Sequence, residues 1–460
     1  MIDNRRQNWV VISAITSLII ISCFIAIILP GDGVWNRNLN AGSDFLSGVL
    51  PSPPAYPIWG YSLFSQVMEE YTPVLQSILL YPLLFLLVRH TGQIAAGTKH
   101  PSIRGLMLVI LLLPFIFLST SLYTSSVAAI LMISGTLLII KGIRDEYRPG
   151  PLFTAGLLIG LAYNFRAEIL IYGLAVAGCL LLYLARHGRF KTDCKGILVY
   201  VAVMLTCTIP WISYTASVLD RPSITSTNGG GTMYFGLGIR EDNPWNIIDS
   251  DDFVENIADQ LEFGSAWSEK ANRHFKIEFM NAVQEHPRAF VDRIVTGWIY
   301  MMKQGLYFPD FRALHTSSQY RAELDYVNEV FKQNLGLNVN QEQLRKYKEM
   351  GISNNVISIG QYFIVVSEYF LRVVFALVFL ALVIGSIYTS IVTRFRYIES
   401  YLFVAYSGIL LAVAGLIQTN PRHTTLILPI LIITCFTVRL RGQIAQTDAN
   451  IKDTVATSKE

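Results

Sequence analysis

Charge is scarce in this chain. Asp, Glu, Lys and Arg make up 15% of its 460 residues, against roughly 25% in soluble domains. A chain so poor in charge is built for an apolar solvent, which excludes a string of soluble domains despite a length that would accommodate several. The net charge of +3 is too small to suggest a nucleic-acid partner, and no nucleic acid is expected. Cysteine is scarce too. Cys23, Cys179, Cys207 and Cys435 fall in apolar runs and Cys194 in a short basic loop, so there is neither a disulfide framework nor a Cys-x-x-Cys metal pattern. Internal repeats, low-complexity tracts and heptad arrays are also lacking, which removes solenoids and coiled coils.

What abounds is apolar sequence: 52% of residues are hydrophobic and the mean hydropathy is +0.43. A bilayer crossing takes about 20 such residues. Candidate crossings are 9–29, 73–88, 105–121, 124–140, 169–185, 196–218, 357–391, 400–418 and 424–438. The shorter run 151–163 is added because the loop charges need a crossing there, and 357–391 begins as a surface helix or tilts strongly. The run behind Arg5 and Arg6 is too long for a signal-peptide core and lacks a small-residue cleavage site, so it reads as a retained first span. The fold class is therefore an all-α polytopic membrane protein with about ten transmembrane helices and juxtamembrane helices in its extracytoplasmic loops.

Lys and Arg in short loops set the orientation. With the N-terminus inside, one face collects Arg89, Lys99 and Arg104, then Lys141, Arg144 and Arg148, then Arg186, Arg189, Lys191 and Lys195, and finally Arg394, Arg396, Arg439 and Arg441. The short segments of the other face, 119–123, 164–168 and 419–423, hold only Arg166 and Arg422. This divides the chain into an N-terminal membrane region 1–218 with a first outer loop 30–72, a large extracytoplasmic loop 219–356, C-terminal membrane helices 357–440 and a polar cytoplasmic tail 441–460. Both termini are expected in the cytoplasm of a multi-pass cell-membrane protein, with any active site on the extracytoplasmic side. Within the large loop, 265–285 has helical periodicity, and Pro287 starts an amphipathic helix with Trp298, Ile299 and Met301 on its apolar side, suited to the membrane surface. Segment 320–350 alternates charged and apolar residues like a solvated helix.

Polar groups near a bilayer are the informative ones, and the candidates all fall on the outer face. Asp44, in Gly42-Ser43-Asp44-Phe45, can take a proton from an acceptor hydroxyl or orient it; as a plain loop residue it would cap a helix. Pro53-Pro54-Ala55-Tyr56-Pro57 makes a rigid return along the surface. Asn164-Phe165-Arg166-Ala167-Glu168 joins two spans by a very short turn. Arg166 and Glu168 either pair and snorkel or face an outer cavity, where a guanidinium suits phosphate. Asn420-Pro421-Arg422-His423-Thr424 places a second cation at the same level, where it can stabilise a departing phosphate. Thr225 to Gly236, including Asn228, Gly229-Gly230-Gly231 and Tyr234-Phe235-Gly236, has no Lys-Ser/Thr after its glycines, so it is no P-loop; a flexible flap or tight turn is expected. His274, His286 and His315 lack metal-ligand spacing and read as surface residues, as do Asp251-Asp252 and Glu69-Glu70.

In this order, the motifs resemble those of the GT-C glycosyltransferases, in the branch of protein mannosyltransferases and lipid A aminoarabinose transferases. The resemblance runs from about residue 9 to 440 and is carried by Asp44, Pro53 to Pro57, Gly160-Leu161-Ala162 with Arg166 and Glu168, Pro210-Trp211, the Asn-Gly-Gly-Gly and Tyr-Phe-Gly element, His286-Pro287-Arg288, and Arg422-His423 before Pro429. It implies a polyprenyl-phosphate sugar donor entering from the bilayer, a glycan, lipid or protein acceptor hydroxyl, and inversion at the anomeric carbon. Carried over, Asp44 is the catalytic carboxylate. Arg166, Arg422 and His423 contact the donor phosphate, and Glu168, Tyr56, Asn228 and Tyr234 line the substrate. Phe45 stands where the mannosyltransferases complete an acidic pair, and Ser125 and Ser126 stand where many relatives have an acidic residue. These departures leave the sugar, the acceptor and any divalent metal open; no cofactor is otherwise implied.

Two other classes fit a multispan chain with a large outer loop. An O-antigen polymerase or ligase would draw on loop arginines such as Arg288, Arg293 and Arg312. A transporter of lipid-linked sugar would carry repeats and midplane charge, of which Glu368 and Arg372 are the main instance.

Overall fold

The structure, a computed structural model, describes residues 4–28, 72–96, 103–112, 124–144, 149–218, 222–224, 227, 229–240, 242–266, 268–303, 374, 377–416 and 428–444. Among these residues regular structure is helical and no strand occurs.

The larger body is a helical bundle. Helix α1 (Asn4–Ile28) lies on α2 (Thr72–Ala96), which packs on α3 (Ile103–Leu111) and α4 (Thr124–Arg144). Helix α5 (Pro149–Tyr163) is sandwiched between α4 and α7 (Phe190–Thr206), and α6 (Ile169–Arg186) packs on both α5 and α7. Helix α8 (Ile209–Val218) continues from α7. Val74–Thr91, Ile169–Arg186 and Phe190–Ser217 are long and apolar enough to cross a membrane. Shorter apolar helices cover Trp9–Cys23, Val127–Ile143, Pro149–Tyr163, Leu377–Val392 and Ile398–Ala412. Apolar side chains fill the inside (Leu80, Leu87, Ile140, Leu152, Leu180, Tyr406) and also cover the outside (Ile78, Leu86, Phe153, Ile171, Leu182, Leu198). Helices apolar all round are stable only where the surroundings are apolar too.

Small residues let these helices approach. Gly156 and Gly160 are four apart on α5, and a Cβ on Gly160 would lie 2.7 Å from the Cys207 Cβ and 2.8 Å from the Met204 carbonyl. This is the close backbone contact that a small-x-x-x-small pattern permits between apolar helices. Helix α6 ends in a Schellman turn. Gly188, at φ +68°, lets its own N–H reach Ala185 O and lets the Arg189 N–H reach Leu184 O.

The sequence places Cys194 in a loop and a span over 196–218; the structure corrects the first and keeps the second within one long apolar run, Phe190–Ser217. Helix α7 starts at Phe190, so Cys194 is helical. The run then breaks between Thr206 and Ile209 because Pro210 has no N–H to give the preceding turn. At the break Asn164, from the α5–α6 turn, donates to Cys207 O at 3.1 Å and to Gly160 O at 3.2 Å.

A second, smaller unit follows from α9 (Gly229–Phe235), a 3-10 turn (Gly236–Ile239), α10 (Asp251–Gln260), α11 (Glu269–Glu285) and α12 (Pro287–Lys303). Its own core holds Phe235, Leu237, Val254, Phe275 and Phe279. Ser250 and Ser268 cap α10 and α11 by accepting from the N–H groups of Asp252 and Ala271. Pro287 starts α12, as its fixed φ favours. This unit leans on α14 (Ile398–Leu416) through α12, where the Trp298 indole N–H donates to Leu411 O at 3.1 Å. Trp298 therefore packs toward the bundle, whereas Val291, Val295 and Ile299 stay exposed on another side of α12. Helix α13 (Leu377–Val392), α14 and the helix over 428–444, here α15, complete the described chain.

Candidate functional site

The turn between α5 and α6 sits beside the start of the appended loop. Arg166 donates from Nε (2.9 Å) and Nη2 (2.7 Å) to the same carboxylate oxygen, Glu168 Oε1. The Arg166 side chain is 8% exposed and that of Glu168 21%, so the pair is largely withdrawn from solvent. Its geometry comes from the turn: the N–H groups of Asn164, Phe165 and Arg166 close on the carbonyls of Leu161 and Ala162, and those of Ile169 to Tyr172 close on Arg166, Ala167 and Glu168. The backbone reverses over five residues, and residues 166 and 168 point to the same side.

Two ties bring the chain after α8 back over this region. The Tyr163 hydroxyl donates to Ile224 O at 2.7 Å. Thr215 Oγ1 lies 3.0 Å from Ser223 O and accepts from the Ser223 N–H at 2.9 Å. Ile224 is thus held against the end of α5, 61 residues away in sequence, and Ser223 against α8. Two polar groups buried in this part of the bundle have no hydrogen-bond partner, the Tyr172 hydroxyl one helical turn beyond Glu168 and the Trp211 indole N–H. Both side chains are 1% exposed. Sequence inspection did not mark Tyr172. Its signal was a Tyr four residues after Glu168, hence on the same helical face.

Tyr234 lies elsewhere. It is half-buried in the core of the second unit, stacked between Phe253 (ring centroids 6.5 Å) and Phe275 (5.4 Å). Burial pushes its hydroxyl above the ordinary tyrosine range, and Glu278 adds to the shift. The glycines before it form no flap or tight turn: Gly229–Phe235 is helical. The Gly230 N–H donates to Asn272 Oδ1 at 2.8 Å, and a Cβ on Gly230 would overlap the Asn272 carbonyl. Close approach to α11, rather than flexibility, is what Gly230 provides. Arg293, on α12, is buried and donates from Nε to Gly236 O at 2.8 Å; burial lowers its pKa to about 10 against the opposing pull of Asp249.

His274 lies tilted against Phe263 and edgewise on Phe275, and His286 is exposed against Trp245. Asp251 and Asp252 are exposed in the first turn of α10. Among the described residues no three His, Cys, Asp or Glu side chains gather as metal ligands. Asp44, Tyr56, Asn228, Arg422, His423, the Pro53–Pro57 stretch, His315, Arg312, Glu69-Glu70, Glu368, Arg372 and segment 320–350 lie outside the described residues.

Fold and site together define a chain that is helical over its described residues, with helices long and apolar enough to cross a membrane, a largely withdrawn Arg–Glu pair between two of them and a small helical unit packed on the bundle. No known protein family, curated protein or solved structure matches the chain.

Proposed function

We propose that this chain is a GT-C-like membrane glycosyltransferase that moves a sugar from a polyprenyl-phosphate donor to an extracytoplasmic hydroxyl. In this reading about ten helices cross the bilayer, the termini are cytoplasmic, and the α5–α6 turn, Asp44 and Arg422 face outward. The single observation that carries it is the Arg166–Glu168 pair, a guanidinium 8% exposed and held at Nε and Nη2 by one carboxylate oxygen. Such a fork is oriented before any ligand arrives, and oriented guanidinium is the group that recognises phosphate oxygens best.

The acceptor oxygen attacks the anomeric carbon, its proton passes to Asp44, and the bond between that carbon and the phosphate oxygen breaks. The electron pair leaves with the lipid phosphate, whose growing charge Arg166, Arg422 and His423 stabilise. Glu168 acts as the positioning group of Arg166. Among the loop arginines that a polymerase or ligase would use, Arg293 is committed to the Gly236 carbonyl inside the second unit.

The test is transfer from a radiolabelled polyprenyl-phosphate sugar by the purified chain in lipid. Asp44→Asn is expected to lower kcat about a hundredfold or more, the range of a lost general base, with the donor still bound. Transfer at the wild-type rate by Asp44→Asn sinks the assignment.

A further inference from the structure

The other end of the bundle holds a second cluster that the transfer reaction does not use. Helix α13 ends in a turn in which Arg394 and Phe395, neither of them glycine, take positive φ (50° and 54°). The Phe395 N–H reaches Ser390 O at 2.8 Å and the Arg394 N–H reaches Ile391 O at 2.9 Å. Arg186, from the end of α6, donates through Nη2 to Arg394 O at 3.0 Å. This turn throws the side chains of Arg394 and Arg396 into solvent beside Arg186, all three exposed.

From α15, the Arg439 side chain crosses α13 at Gly385, where a Cβ would lie 2.7 Å from Arg439 Nε. Its Nη1 makes only long contacts, 3.4 Å, to Gly385 O and Thr389 Oγ1.

Carboxylates do not balance these cations. Among the described residues of these helix ends, Asp193 pairs with Arg189 at 2.7 Å, and Glu399 pairs with Arg441 at 3.3 Å. Arg441 also lies 5.4 Å over the Tyr397 ring. Two buried hydroxyls in the same stretch, those of Ser390 and Ser400, have no hydrogen-bond partner and sit at most 1% exposed.

Anchoring by positive charge needs only basic residues somewhere in each loop. Here two elements far apart in sequence meet through Arg186 and the Arg394 carbonyl, and one turn adopts a conformation costly for side chains, of order 1–3 kcal/mol per residue in general. We infer that Arg186, Arg394 and Arg396 form a binding site for the phosphate headgroup of an anionic membrane lipid. The inference rests on the reading that these helices cross a bilayer, because only then does the cluster sit at headgroup level against apolar helix surfaces. Exposed Ile384, Ile387 and Ile391 on α13 continue directly into the cluster and supply the surface for the acyl chains. Basic pockets between helix ends are the kind of site that takes such headgroups.

The test is lipid binding by the full chain in detergent, followed by native mass spectrometry. Phosphatidylglycerol, phosphatidylcholine and inorganic phosphate are the probes. The wild type is expected to retain phosphatidylglycerol over phosphatidylcholine. Arg394→Gln and Arg396→Gln change exposed side chains and leave the turn's backbone bonds in place; each is expected to weaken that binding about fivefold, the factor that corresponds to one surface cation. Lys191→Gln with Lys195→Gln, exposed on α7, is the charge-matched control and is expected to leave it nearly unchanged.

An undiminished preference in the Arg394→Gln/Arg396→Gln double variant overturns the proposal. So does an equal loss in the lysine control, which would mean diffuse attraction. Displacement of the lipid by equimolar inorganic phosphate overturns a lipid as the occupant. Flotation of the protein with carbonate-washed membranes tests the bilayer reading separately.

Discussion

Asn164 braces the break between α7 and α8: its side-chain amide donates to the Cys207 carbonyl at 3.1 Å, next to the step where Pro210 interrupts the helix. In hydrocarbon no water is at hand for a loosened carbonyl, so one side chain takes that place. The same Asn begins the turn that presents Arg166, and a bundle-packing group is thereby linked to the candidate site.

Asn164→Leu keeps the size and removes the donor. It is expected to destabilise the bundle by about 1–3 kcal/mol, the penalty for a buried acceptor left unpaired. Thermal unfolding in detergent reads this directly, and an unchanged midpoint would show that the break needs no brace.

Gly160→Leu puts a side chain where Cys207 Cβ and Met204 O already stand at 2.7 and 2.8 Å from a bare Cβ. Overpacking generally costs about 1–3 kcal/mol, and α5 and α7 must separate for it. A cysteine pair placed across α5 and α7 should crosslink more slowly in this variant. Crosslinking at the wild-type rate contradicts the close approach.

Arg166→Gln and Glu168→Gln each strand one member of a poorly exposed ion pair. Breaking a fully buried pair costs about 3–5 kcal/mol; with Glu168 21% exposed, about 2–3 kcal/mol is expected after solvent screening. The double variant should regain most of that stability in a double-mutant cycle. Sugar transfer should stay lost, because stability and phosphate recognition draw on different properties of Arg166. Restored transfer would make the pair purely structural.

Gly230→Ala drives a methyl into the main-chain carbonyl of Asn272. Because the obstacle is backbone, Asn272→Ala should not relieve it. Faster hydrogen exchange over 229–235 and 269–275 is the expected signature, in both the single and the double variant.

Arg293 makes a prediction about pH. Its folded pKa, about 10, lies below the ordinary arginine value because burial disfavours the charge. Below the folded value Arg293 is protonated in both states and contributes no slope. Between the two values the unfolded chain binds more protons, so this contribution to stability rises as pH increases. Unfolding of the second unit should therefore show no Arg293-dependent slope from about pH 6 to 9. A slope in that window that disappears in Arg293→Met would contradict the assignment.

The apolar helices and the helix start at Pro287 were legible because each depends on local composition. The short turn at 164–168 was legible as a place where polar residues interrupt two spans. Its ion pair was one of two readings of Arg166 and Glu168, and the pairing follows from the reversal of this particular turn, which brings both to one side. The break in 196–218 was written in Pro210, yet hydropathy averaged over a window passes over a single proline. Gly229–Phe235 misled for a different reason: glycines are poor helix formers, and the contact with Asn272 that offsets this comes from a residue 42 positions away. Asp44 and Arg422 remain expectations from sequence.

Helix α14 is held at both ends by named bonds. Leu411 takes the Trp298 indole of the second unit, and Glu399 takes Arg441 near the basic cluster. The step from Glu399 to Leu411 covers roughly 18 Å of helix, and Tyr406, near its middle, is fixed to Thr136 of α4 at 2.7 Å. An α-helix of that length behaves as a strut. Were a ligand to displace the second unit, such a strut would carry the push to the far side of the bundle with little lost to bending, and a lipid held there would load it from its other end.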